Sequence, residues 1–252
     1  VRVKDRSGGW FIGSREHKFK VLNSDGYVYK RFEDMCEGDY FVYKRGLNSW
    51  GRKEFGYYEF VFGKKGSYGN GRGSISYREA SNRNEYLNKW HEFTQDDYYC
   101  LGSILGDGWL SKGKSSDFDK VEFCLGKNGK DITEEDMSYV SPKMEKFMGM
   151  ADWVEIKQEF RISKTKPNLC DFLIKNGFGY NSKTKDVPDF IFKTTKKNVV
   201  SFLRGFFDTD GYVGKNGENG INIELTQVRR EPLEKVRILL LNMGIVSRLD
   251  NK

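Results

Sequence analysis

The stretch VVSFLRGFFDTDGYVG, residues 199–214, runs from apolar to acidic and then to glycine. Read as a helix, it sets Asp210 against its own negative end, which carries roughly half an elementary charge. That placement is unfavourable unless something compensates it. The pattern recurs upstream in YYCLGSILGDGWLS, residues 98–111, where Gly108 follows Asp107 as Gly211 follows Asp210. Each run carries small residues four apart, Gly102 and Gly106 in the first, Gly205 and Thr209 in the second. That spacing puts them on one helix face and permits two backbones to approach closely. Two such helices packed together bring Asp107 and Asp210 side by side. A paired carboxylate of this kind suits a divalent cation, and Mg2+ fits carboxylate, water and phosphate ligation. The two glycines are expected in the left-handed conformation that ends a helix.

Elements downstream of the two runs also match. FDKVEFCLG (118–126) alternates, with Val121, Phe123 and Leu125 on one face and Lys120 and Glu122 on the other. PKMEKFMGM (142–150) reads as a helix. DWVEIKQEFRIS (152–163) alternates again, with Val154, Ile156, Phe160 and Ile162 expected inward and Glu155, Lys157, Glu159 and Arg161 outward. A short helix near LCDFLIKNGF closes at Gly177. After the second run come strands around GYVG and GINIELTQ, the latter with Asn222, Glu224 and Thr226 on its polar face, and then a helix over REPLEKVRILLLNMGI. The order helix-strand-strand-helix thus occurs twice, about 100 residues apart, as an internal duplication does. Seven residues follow Ile245. The second repeat is therefore expected to be incomplete in this chain.

The remainder of the sequence bounds the chemistry. The 252 residues carry a net charge of +7, and the excess sits almost wholly before residue 96. It surrounds the tract GKKGSYGNGRGS (63–74), which reads either as a polyanion-contacting segment or as a solvated linker. Four scattered cysteines with no C-x-x-C pair argue against a zinc site or a disulfide framework and suit a reducing intracellular compartment. His17 and His91 are the only histidines, which disfavours a histidine-rich metal site. No apolar run reaches the roughly 20 residues of a membrane span, and no signal peptide is expected. In the first third, HKFKVLNSDGYVYK (17–30) alternates around Ser24-Asp25-Gly26, a hairpin pattern in a region that reads as all-β.

The segments CLGSILGDG and LRGFFDTDG resemble the two motifs of the LAGLIDADG homing endonucleases. KDVP at 185–188 is similar to the Lys-x-Ile-Pro-like block that precedes the second motif in the intein-borne members, and PLEKVRILLLNMGI is similar to the leucine-rich helix that follows it. The resemblance covers about 96–252. It implies an α+β fold, a pseudo-symmetric duplicated αββα domain, and Mg2+-dependent cleavage of both strands of a DNA target. It also implies that Asp107 and Asp210 are metal ligands and that Lys185 is an active-site lysine. The polar strand faces would then read double-stranded DNA through Lys120, Glu122, Glu155, Lys157, Glu159, Arg161, Asn222, Glu224 and Thr226.

GSREHKF (13–19) resembles the Thr-x-x-His block of intein, Hint-type, splicing domains, with Ser14 in place of Thr and His17 retained. EGDYFVY (37–43) resembles the Gly-Asp turn that follows it. This resemblance implies that His17 and Ser14 assist the first splicing step. The start at Val1 and the end Asp250-Asn251-Lys252 depart from the family's Cys or Ser start and His-Asn end. Missing intein segments are therefore expected in trans or in flanking sequence.

The expected organisation is a partial Hint-like domain over 1–62, a basic Gly-rich segment over 63–93, and an endonuclease domain over 94–252. Two alternatives stay open: a nucleic-acid binder of the same fold without cleavage, such as a maturase or regulator, and a protein-splicing element only.

Overall fold

The computed structural model describes residues 2–5, 8, 10–24, 26–42, 44–62, 86–112, 118–126, 133–149, 151–156, 159–216 and 220–250. The chain forms two compact units: Val1–Ser49 with Arg229–Lys252, and Trp50–Val228.

The first unit opens with β1 (Arg2–Lys4) antiparallel to β2 (Trp10–Ile12). Next come β3 (Lys18–Asn23), β4 (Gly26–Arg31) and the short β5 (Tyr40–Phe41), in the sheet order β4-β3-β5. The β3–β4 hairpin turns where its Ser-Asp-Gly sequence predicts. Asn23 pairs with Gly26, whose φ of +93° is readily open only to glycine. Val21 and Phe32 are buried, with Phe11, Phe19 and Phe41 in ring contact around them.

The second unit begins with an antiparallel ribbon of β6 (Gly56–Phe62) and β7 (Tyr86–Glu92). Helix α1 (Gln95–Asp107) starts at Thr94 with the capping box expected from its sequence. Thr94 Oγ1 accepts from the Asp97 N–H at 3.3 Å, and Asp97 Oδ2 accepts from the Thr94 N–H at 2.7 Å. The chain continues through β8 (Gly108–Lys112), β9 (Phe118–Leu125), α2 (Glu134–Met148), β10 (Trp153–Ile156), β11 (Glu159–Thr165) and α3 (Pro167–Lys175). The four strands form one sheet in the order β10-β11-β9-β8. α3 packs on β9 and α2 on β11, burying Leu110, Val121, Phe123, Ile162, Met144, Phe147, Leu169 and Leu173. Helix α2 begins eight residues before the predicted one, at a second capping box between Thr133 and Asp136. Its Pro142 is tolerated inside the helix.

Helix α4 (Lys196–Asp210) and the hairpin of β12 (Gly211–Asn216) and β13 (Gly220–Leu225) complete this unit. The register after each Asp-Gly is the same. Gly108, Trp109, Leu110 and Ser111 face Phe123, Glu122, Val121 and Lys120. Gly211, Tyr212, Val213 and Gly214 face Leu225, Glu224, Ile223 and Asn222. Leu110 and Val121 are buried, whereas Val213 and Ile223 are exposed. The last helix, α5 (Arg230–Asn242), belongs to the first unit. There Arg237 pairs with Asp5 at 3.3 Å, Arg230 donates to the Gly8 carbonyl, and Asn242 exchanges hydrogen bonds with Ser49.

Two expectations are corrected. Gly108 (φ −107°) and Gly211 (φ −82°) are extended, not left-handed. Each helix runs directly into a strand, and glycine is needed for space: a Cβ at Gly108 would meet Ile104 and the Glu122 carbonyl, and one at Gly211 the Phe207 carbonyl. The second correction concerns β10. Ile156 pairs with Glu159, so the numbers of facing residues add to an odd total, and a face that is even on β10 is odd on β11. Val154 and Ile156, expected inward, therefore share the outer face with Arg161 and are exposed, while Glu155 lies opposite Phe160 on the other face.

Candidate functional site

Helices α1 and α4 are held together by their small residues. A Cβ on Gly102 would strike the Phe202 carbonyl and the Phe206 amide, and one on Gly205 would strike the Tyr99 carbonyl and the Ser103 amide. With 103 residues between counterparts, each glycine sits against the counterparts of the other's neighbours, so the contact is reciprocal. Gly106 lies against Thr209 at the C-terminal ends, and a Cβ there would come within 3.2 Å of Asp210 Oδ2. The carboxylate of Asp210 thus lies against the turn that carries Asp107.

The negative end of α1 is compensated from within the chain. The Lys185 ammonium, almost fully buried, donates to the carbonyls of Ile104 (3.2 Å), Gly106 (2.6 Å) and Gly108 (2.8 Å). The Cys124 thiol donates to the carbonyl of Asp107 at 3.4 Å. Carbonyls at a helix C-terminus lack intrahelical donors, and a cation there also opposes the helix dipole. The lysine is fixed by its loop. Val187, Phe190 and Ile191 are buried, and Phe190 contacts the rings of Phe55, Phe93 and Phe172. Backbone bonds from Asp186 to Phe178 (3.0 Å) and from Leu110 to Tyr180 (3.0 Å) tie the loop to the sheet unit.

On α4 the two aspartates of DTD have separate surroundings. Asp208 accepts from the Tyr99 hydroxyl at 3.0 Å. Burial, and then the Asp208 charge, push that phenol well above its ordinary range. Asp210 turns the other way and accepts from Gln227 Nε2. Gln227 stands in GINIELTQ one residue past Thr226, and its sequence context gives no sign of this contact. At the other helix end, burial raises the Asp97 carboxyl, but hydrogen bonds from His91 (3.3 Å) and Thr94 outweigh it and hold the group below its ordinary value.

Asp107 and Asp210 supply oxygen donors at two adjoining helix ends, and the nearest buried cation, Lys185, is directed at backbone carbonyls. That donor set fits a hard divalent ion such as Mg2+, which keeps several waters and takes one or two carboxylates. Among the described residues no group of three or more His, Cys, Asp and Glu side chains stands ready to hold a metal. An ion held here would draw its remaining ligands from water and substrate.

The outer face of the sheet carries Lys120, Glu122, Arg161 and Glu159, together with Trp109 and Ser111. The Arg161 guanidinium lies 5.0 Å from the Trp109 ring centroid and 3.6 Å from Glu159. Ser111 Oγ donates to Glu122. Glu155 is on the opposite face, and Lys157 lies outside the described residues. Asn222 and Glu224 share a face of the second hairpin and are joined by a 2.6 Å hydrogen bond, while Thr226 is exposed just beyond β13. In the first unit, Ser14 and His17 flank one exposed turn in which the His17 N–H donates to the Ser14 carbonyl at 3.2 Å, and the imidazole packs edge-on to Phe19.

Residues 197–252 match the model of the LAGLIDADG-like domain. The α subunit of ribonucleoside-diphosphate reductase NrdEB from Bacillus subtilis is 42% identical over 82 residues, which is 32% of this chain and 8% of that protein. A probable translation initiation factor IF-2 from Thermococcus kodakarensis is 41% identical over 166 residues, 64% of this chain and 12% of that protein. This chain therefore spans only a small part of the curated relatives it matches. Among solved structures, a variant of I-DmoI in complex with its target DNA in the presence of magnesium aligns at 14% identity and TM-score 0.40, covering 60% of this chain and 79% of that one.

Proposed function

We propose that this chain is part of an intein carrying a site-specific, Mg2+-dependent DNA homing endonuclease of the LAGLIDADG type. The observation that carries the reading is the reciprocal contact of α1 and α4 through Gly102 and Gly205, with Asp107 and Asp210 at the adjoining ends. The match of residues 197–252 to a LAGLIDADG-like domain supports it. In this reading the two copies form a pseudo-symmetric pair, and DNA lies along the outer faces of the two hairpins.

Asp107 and Asp210 would hold the ion, which when bound neutralises charge on the scissile phosphate and lowers the pKa of attacking water. Lys185 serves the site by fixing the last turn of α1, so that Asp107 keeps its place as the DNA arrives. Gln227 does the corresponding work for Asp210 by fixing its carboxylate. Arg161 and Lys120 face the phosphate-rich side of the ligand.

Two observations favour the intein context. The stretches this chain shares with the reductase subunit and with the initiation factor are each a small part of those two differently named proteins, as suits a mobile insertion. The first unit is built from residues on both sides of the second, as a splicing domain interrupted by an endonuclease would be. His17 and Ser14 are then proposed to assist splicing, with His17 as the proton donor at the scissile amide.

The test is cleavage of a randomised duplex library with Mg2+ or EDTA, by this chain and by one extended with the residues that flank it in its gene. Mg2+-dependent cuts in both strands at a defined sequence, lost on Asp107→Asn, support the reading. Duplex retained by both forms without hydrolysis favours a binding-only protein of this fold.

A further inference from the structure

Six of the chain's seven net positive charges lie in the first unit, where Val1–Ser49 and Arg229–Lys252 together hold 16 Lys and Arg against 10 Asp and Glu. The β4-β3-β5 sheet of that unit has two unlike faces. Phe19, Val21 and Phe41 share one, which takes the core. The other runs Tyr27, Leu22, Tyr40 straight across the three strands, with Tyr29 beside Lys20 and Arg31 beside Lys18. No Asp or Glu belongs to this face. Arg31 is paired with Glu33 and Asp34 just past β4, whereas Lys18 and Lys20 form no ion pair among the described residues. Lys20 Nζ stands 5.1 Å from the centroid of the Tyr27 ring. Tyr27, Tyr29 and Tyr40 are 67, 69 and 68% exposed, and no described residue bonds to their hydroxyls.

A tyrosine ring left in water forgoes the burial that an aromatic side chain ordinarily gains. Three of them on one sheet face suit a ligand that covers rings. An apolar protein surface would cover them only by burying the Lys18 and Lys20 charges without partners, which is costly. A polyanion that presents flat rings meets both needs. Single-stranded nucleic acid is one: its unpaired bases stack on aromatic side chains while its phosphates meet basic ones. A duplex hides its base faces in its own stack. We propose that the outer face of the β4-β3-β5 sheet is a platform for single-stranded nucleic acid, with bases on Tyr27, Tyr29 and Tyr40 and phosphates against Lys18 and Lys20. Tyr27 and Tyr29 are two residues apart on one strand, about 7 Å, and take neighbouring bases. Tyr40 is two strands away from Tyr27, about 10 Å, and takes a base further along. Stacking on tyrosine is indifferent to the sugar, so DNA and RNA strands are both apt probes.

The experiment is fluorescence anisotropy of labelled oligothymidylate and oligouridylate of about 12 nucleotides, titrated with the full chain in EDTA, with a labelled duplex as a third probe. The parent should bind the single strands. Tyr29→Ala and Tyr40→Ala should each weaken that binding about fivefold or more and leave duplex binding unmoved. Tyr29→Phe and Tyr40→Phe should stay within about twofold of the parent, because the ring stacks and the hydroxyl does not. Lys18→Ala should lower the salt dependence of single-strand binding by about 0.7 in log–log slope. Tighter binding of one strand than the other supports the platform and identifies its sugar. Both side chains are exposed, and an unchanged circular dichroism spectrum shows that each variant is folded. No single-strand binding by the parent, or binding unchanged in a variant carrying both Tyr29→Ala and Tyr40→Ala, overturns the inference. A loss confined to the duplex probe also overturns it and makes the face a duplex contact. The endonuclease reading stands in every case, because Asp107 and Asp210 lie in the other unit.

Discussion

At the residue scale, Lys185 is bonded to backbone carbonyls whereas Asp107 and Asp210 are the proposed metal ligands, and their variants should fail differently. Lys185→Met removes the ammonium from the carbonyls of Ile104, Gly106 and Gly108 in a buried place, where each unmet polar group costs about 1–3 kcal/mol; of the three, Ile104 keeps the Gly108 N–H as a donor. Urea unfolding should report a loss of about 3 kcal/mol or more. Asp107→Asn should leave stability within about 1 kcal/mol and lower Mg2+-dependent cleavage about a thousandfold, with DNA affinity retained in a gel-shift assay. A variant of Asp107 that unfolds the protein would instead assign it to the fold. Asp97 supplies a pH dependence of known sign. Its folded carboxyl lies below the ordinary 3.8, so its contribution is present above that value and drains away as pH falls through the lower folded value. Asp97→Asn should flatten the acid limb of the stability profile below about pH 4. The sequence marked Asp107, Asp210 and Lys185 by position in a motif. It gave no sign that Lys185 points at backbone carbonyls, because that depends on a loop held by Phe190 and Val187.

Among the elements, the α1–α4 contact is the one on which the site depends, and it was legible from small residues four apart. Ala at Gly102 or Gly205 sets a methyl against backbone carbonyl and amide groups that cannot rotate away. Overpacking of this kind costs about 1–3 kcal/mol, and Gly205→Ala should lower the melting temperature accordingly and reduce cleavage more than DNA binding. Unaltered cleavage in Gly205→Ala would show that the helix spacing is not what sets the carboxylates. The hairpins were less legible. Alternation within β9 predicted its two faces correctly, since Val121 and Phe123 are buried. The same reasoning carried through DWVEIKQEFRIS misassigned β10, because periodicity within a strand does not reveal the phase change introduced by a turn. Trp109 went unnoticed for a related reason: its place beneath Arg161 follows from cross-strand register, and register is not written in any one strand.

For the whole molecule, the least legible feature was the make-up of the first unit. The apolar stripe of α5 announces that it packs on something, but the bonds that join it to Ser49 and Asp5 link residues about two hundred positions apart. Because His17 lies in that unit and both aspartates in the other, His17→Ala should leave DNA cleavage unchanged. In a chain completed for splicing, the same change should reduce thiol-induced cleavage at the upstream junction. Loss of DNA cleavage in His17→Ala would show that the units do not work separately. The discontinuity also imposes an order on biosynthesis. The strands up to Ser49 leave the ribosome first but cannot complete their unit until Arg229 and its successors emerge. At about 5–20 residues per second, that delay is roughly 10–40 s, ample time for the intervening unit to fold. The early strands must pass that interval without the helix that Asp5, Gly8 and Ser49 bond to, so chaperone dependence during translation, rather than final stability, should limit how much of this protein a cell can make.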